Sequence, residues 1–141
     1  MPDAYGYPMK TRRLLPIAGV IIAVVALAIL AGRWIDIAIW GADGARVIDT
    51  TNQLLRAASS GDQDALACED FAAGFGDAQA WNGLRAGEPE QFYADASFDR
   101  PSLDASWSIN LEGWSGTSDV SPIFVFYRES AEGLCVADVR W

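Results

Sequence analysis

The stretch Ala105-Ser106-Trp107-Ser108-Ile109-Asn110-Leu111-Glu112 alternates apolar and polar side chains without a break. Ala105, Trp107, Ile109 and Leu111 take one side; Ser106, Ser108, Asn110 and Glu112 take the other. A period of two predicts a half-buried strand. Downstream, Gly113 to Asp119 is a turn rich in Gly, Ser, Thr and Asp. Residues 123–128 (Ile-Phe-Val-Phe-Tyr-Arg) predict a second, more buried strand, and 129–133 a polar turn. Residues 134–141 predict a third strand with Cys135, Ala137, Val139 and Trp141 on one face. Residues 98–103 add a candidate edge strand.

Upstream the period is helical. Val47, Thr51, Leu54, Leu55 and Ala58 recur at the spacing of one helical face over residues 42–59. Arg46, Asp49, Asn52 and Arg56 take the other side. Gly61 predicts the stop, and Asp62 the cap of a second helix over 62–72 with Ala65, Cys68 and Ala72 on its stripe. Gly74-Phe75-Gly76 breaks that helix. Asp77 predicts the cap of a third, to Ala86, carrying Ala80, Trp81 and Leu84, and Pro89 one further turn carrying Phe92 and Tyr93. Helices followed by an antiparallel meander predict the α+β class, with the helices packed on one face of the sheet.

Further upstream, residues 14–31 (Leu-Leu-Pro-Ile-Ala-Gly-Val-Ile-Ile-Ala-Val-Val-Ala-Leu-Ala-Ile-Leu-Ala) carry no charge. A spanning helix needs about 20 such residues. Lys10, Arg12 and Arg13 precede the run, and Arg33, Trp34 and Trp40 follow it as candidate membrane-interface residues. The positive-inside rule keeps the basic end in the cytoplasm. The expected organisation is therefore a cytoplasmic tail at 1–13, a transmembrane helix with its interfacial extension at 14–40, and an exported domain at 41–141. A cleaved signal peptide competes, with Ala26-Leu27-Ala28 as its cleavage-like triplet, but the run is longer than the usual core and continues past the triplet. A buried soluble helix would leave the basic cluster unexplained. Trp34, Ile35, Ile37, Ile39 and Trp40 fit an interfacial belt, or a docking surface for another membrane protein.

The 141 residues are 51% hydrophobic and 21% charged, which excludes a disordered polymer. The net charge of −9 argues against nucleic acid as a partner. Beyond Ala31 stand seven arginines and 18 acids, a formal −11, and no lysine. Arginine without lysine, with abundant Ala, Gly and Asp, is the usage of a high-GC bacterial genome. So acidic a domain should stand off anionic lipid. Solubility alone accounts for the charge; a cationic partner is the sharper reading. Cys68 and Cys135 both fall in the exported part, and an even count in an oxidising compartment predicts one disulfide. Two separate buried thiols are the alternative.

The stretch Leu54-Leu55-Arg56-Ala57-Ala58-Ser59-Ser60-Gly61-Asp62-Gln63-Asp64-Ala65-Leu66-Ala67-Cys68 resembles the start of NTF2-like (cystatin-like cone, SnoaL-like) domains, where a long helix ends in a small-Gly-Asp step. Gly133-Leu134-Cys135-Val136-Ala137-Asp138-Val139-Arg140-Trp141 is similar to their last strand. Exported, membrane-anchored members place cysteines alike. The resemblance implies a curved sheet wrapped on the long helix, with a pocket at the open end of the cone. Members include isomerases, dehydratases, cyclase-like enzymes and scaffolds, so fold alone does not settle function.

Histidine is absent, which removes the commonest general base. Asp138, Glu69, Asp70, Tyr93 and Tyr127 are the remaining acid–base candidates, each more ordinary as solvated or packing side chains. Gly74-Phe75-Gly76 lacks the Lys-Ser/Thr of a phosphate loop. Asp62, Asp64, Glu69 and Asp70 miss the spacing of a calcium loop, and no serine sits in a nucleophile elbow. No catalytic residue, metal site or cofactor is therefore expected. Phe71, Trp81, Tyr93, Trp107, Tyr127 and Trp141 are the candidate lining of an apolar pocket, or plain core. Phe124, Phe126 and Leu134 fall opposite the inward residues and form a candidate interface, for other envelope proteins or a homodimer. The expectation is a non-enzymatic accessory or scaffolding subunit of an envelope complex, the alternative a receptor for a small apolar ligand.

Overall fold

The computed structural model describes residues 14–91, 104–114, 116 and 118–141. The protein is α+β: one long helix, α1 (Leu14–Ser60), and a four-stranded antiparallel sheet. Two short 3-10 turns, Gln63–Leu66 and Ala78–Trp81, lie between them in sequence. The strands are β1 (Leu84–Gln91), β2 (Trp107–Gly113), β3 (Phe124–Ser130) and β4 (Gly133–Arg140), in spatial order β1-β2-β3-β4. The chain divides into two units, Met1–Ile35 and Asp36–Trp141.

In the first unit every described side chain, from 18 to 35, is exposed. The helix is long and apolar enough to cross a membrane. Regular helix ends at Trp40, because Gly41 takes φ 74°, ψ 176°, and resumes at Ala42. That backbone is one that side chains other than glycine rarely adopt.

In the second unit residues 42–60 behave as their periodicity dictates. Val47, Thr51, Leu54, Leu55 and Ala58 are all buried. Past Ser60, Gly61 turns left-handed at φ 85°, and the Asp62 N–H donates to Ala57 O at 2.9 Å, a Schellman closure. The sheet presents Ile109, Val125 and Val139 in one register row, and Tyr127 with Val136 in the next. All five are core residues.

Three expected helices are corrected. Residues 62–72 make only the 3-10 turn Gln63–Leu66, and Asp62 gives no side-chain cap. Ala67 is extended and bridges in parallel to Val136, while the Cys68 N–H donates to Val136 O at 2.9 Å. The stripe Ala65, Cys68, Ala72 offered too little apolar area to hold a helix against that pairing. Residues 77–86 likewise form one 3-10 turn, then enter β1 at Leu84. Pro89 starts no helical turn; it is buried inside β1. A register shift between Ala86 and Pro89 bulges the strand, and Asn110 Oδ1 accepts the Glu88 N–H at 2.6 Å. Proline is tolerated because β1 is an edge strand.

The inward face of β4 is also corrected. A second register shift makes Tyr127 pair with Val136 and Phe126 with Asp138, leaving Ala137 as the extra residue. Val136 thereby takes the core position that simple alternation assigned to Cys135. Residues 1–13, Tyr93 and the proposed edge strand 98–103 lie outside the described residues.

Candidate functional site

The described aromatic residues named for a pocket pack against the core or against one another. Trp81 is buried and donates its indole N–H to Phe75 O at 2.7 Å. Phe75 stands 4.5 Å from Phe71 and 6.1 Å from Trp81, ring centre to ring centre. Trp141 meets Trp81 edge-on at 6.0 Å. Trp107 is half-buried against the core. Tyr127 is buried completely, its hydroxyl 2.9 Å from Thr51 Oγ1. Burial pushes the Tyr127 phenol well above its ordinary range.

Cys68 and Cys135 form the disulfide, with Cα atoms 5.0 Å apart. Beside it opens a groove of about 770 Å³. One wall is Ala65–Asp70; the other runs from Arg128 through the β3–β4 turn to Leu134 and Cys135. None of the described pocket aromatics lines it. The Arg128 guanidinium reaches both Asp70 carboxylate oxygens, at 2.9 and 3.1 Å, and donates from Nε to Asp104 O. That Arg128 hydrogen bond holds the Asp70 carboxyl below the usual range. Glu69 and Glu132 also line the groove.

The candidate interface is corrected in part. Phe126 is only 8% exposed, sharing its face with Phe124 at 6.5 Å and lying under the Arg140 guanidinium at 6.0 Å. Its register partners on the same face, Ser108 and Asp138, are buried too. Asp138 thus lies opposite the Val139 face, as alternation has it, but is 5% exposed rather than solvated. Phe124 is 36% exposed, and Leu134 is half-buried in the groove wall.

Exposed apolar residues that periodicity missed lie in the β2–β3 connection: Trp114, which is 77% exposed, Val120 and Ile123. The ends of the connection are pinned by Leu111 N–H to Ile123 O and Ile123 N–H to Arg140 O. The sequence signal was available: one tryptophan and two β-branched residues in an otherwise polar turn. Of the membrane-interface residues, Arg33, Trp34 and Trp40 are exposed, and Trp40 lies close against Gly44. Lys10, Arg12 and Arg13 are outside the described residues. Among the described residues no group of three or more acids and cysteines could hold a metal ion.

These features define an α+β domain with one disulfide, following a helix of membrane-spanning length in the same chain. Comparison with protein-family models, with curated proteins and with solved structures gave no match.

Proposed function

We propose that this is a single-pass membrane protein whose exported domain, an NTF2-like cone, serves without catalysis as an accessory or assembly subunit of a cell-envelope complex. The observation that carries the reading is the first unit: from 18 to 35 its apolar side chains are all exposed, a surface suited to a lipid environment. Lys10, Arg12 and Arg13 support a cytoplasmic N-terminal end. The disulfide fits an oxidising compartment for the domain. Helix-then-meander order and the glycine stop at Gly61 support the NTF2-like assignment. The exposed Trp114, Val120 and Ile123 support a protein partner over a buried ligand, since Phe71, Trp81 and Tyr127 are already packed on the core.

The test is mild-detergent extraction of the tagged full-length protein, with mass spectrometry of what accompanies it. The expected result is a stoichiometric membrane partner that Trp114→Ser plus Ile123→Ser releases. A lone protein carrying only bound lipid or metabolite would overturn the proposal.

A further inference from the structure

The groove beside the disulfide has three properties that belong together. Its walls carry apolar side chains, Ala65, Ala67, Ala131 and Leu134. Arg128, the one cation among its described lining residues, is already neutralised by Asp70, whereas the carboxylates of Glu69 and Glu132 have neither an ion pair nor a hydrogen bond to described residues. The groove also borders an open strand edge. β4 is the last strand of the sheet, and Val136 O, on its free side, accepts the Cys68 N–H. Backbone groups alternate between the two sides of a strand. Leu134, two residues earlier, therefore turns its N–H and C=O toward the same free side, where the isolated bridge at Ala67 has not reached.

We infer that this groove binds an extended, lysine- or arginine-bearing segment of a partner protein. The segment hydrogen-bonds to the Leu134 edge, lays small apolar side chains between the alanine-bearing walls, and sets basic side chains against Glu69 and Glu132. Strand addition supplies register through the backbone, and the pockets between side chains supply selection. The formal −11 of the chain beyond Ala31 draws such a segment in and repels both a second copy of this domain and an acidic peptide. The inference rests on reading the domain as a protein-binding module, but its test needs no native partner.

Full-length protein in non-ionic detergent is titrated, at low salt, with a fluorescent eight-residue peptide alternating lysine and valine. A glutamate–valine peptide serves as control. Glu69→Lys plus Glu132→Lys should weaken the lysine peptide about tenfold or more. Glu88→Lys plus Glu90→Lys makes the same change in net charge on exposed positions of β1 and should leave affinity within about twofold. Absence of saturable binding, equal weakening by both double variants, or equal binding of the glutamate peptide would each overturn the inference.

Discussion

The Tyr127 hydroxyl is a donor to Thr51, not an acceptor from it. Thr51 Oγ1 has one proton and donates it to Val47 O, 2.8 Å away; the 2.9 Å contact with Tyr127 Oη must then carry the tyrosine proton. Both side chains are wholly buried, so this bond ties α1 to β3 through the middle of the core.

The asymmetry sets the cost of breaking it. Thr51→Val strands a buried phenol and should cost about 1–3 kcal/mol. Tyr127→Phe leaves Thr51 bonded to Val47 and should cost about 0.5–1.5 kcal/mol. The double variant should be less destabilised than the sum of the two. Thermal unfolding in detergent, read by near-ultraviolet circular dichroism, measures all three.

The same hydroxyl makes the fold alkali-sensitive. Its pKa in the folded protein is raised by burial above the ordinary 10.0. Its contribution is fully present below pH 10.0 and is lost as pH rises toward the folded value. Absorbance titration of the four tyrosines should show Tyr127 ionising last, and Tyr127→Phe should flatten the decline of stability above that pH.

Asp70 acts in the opposite direction. Its carboxyl is depressed by the Arg128 hydrogen bond, so its contribution is present above pH 3.8 and disappears as pH falls through the lower folded value. Carbon-13 titration of the carboxyl should place its midpoint below 3.8, and Arg128→Gln should move it up. A midpoint unmoved by Arg128→Gln would contradict the pairing.

Gly74 and Gly76 have similar left-handed backbones but different surroundings, with φ 74° and 60°. An added Cβ at Gly74 meets nothing within 4 Å; at Gly76 it would come within 2.6 Å of the Trp141 ring. Gly74→Ala should cost about 1–2 kcal/mol from the backbone alone. Gly76→Ala should cost about 2–4 kcal/mol, part of it recovered when Trp141 is also changed to Ala. Denaturant midpoints of the three variants check this.

Phe124 and Phe126 are neighbours on one face with unequal burial, 36% and 8% exposed. Phe126→Asp should cost at least about 3 kcal/mol and lower expression, whereas Phe124→Asp should stay within about 1 kcal/mol of the parent. Protease resistance of the two variants separates them.

The helix stripe at Val47, Thr51, Leu54, Leu55 and Ala58 was legible because its apolar side chains are large and its period unbroken. So were β2, by the alternation of its sequence, and β3, by its apolar run, of which Val125, Phe126 and Tyr127 are buried. β1 was not. Its sequence, Leu-Arg-Ala-Gly-Glu-Pro-Glu-Gln, buries only Leu84 and Pro89, and the bulge between Ala86 and Pro89 sets them five positions apart, out of phase with a period of two. The extended course at Ala67 and Cys68 was hidden for another reason: it is imposed by Val136, far away in sequence. The disulfide partners were legible by number and compartment. The groove they border was not, since it depends on which edge of β4 stays open.

The strand order has a kinetic consequence. Each strand pairs with its neighbour in sequence, so every ladder closes over a local connection, from two residues between β3 and β4 to 15 between β1 and β2. Cys68 and Cys135 are 67 residues apart. Their bond can close only once Cys135 has been made, so Cys68 stays a lone thiol while those 67 residues are added, and the staple then ties the segment ahead of the sheet to its edge strand β4.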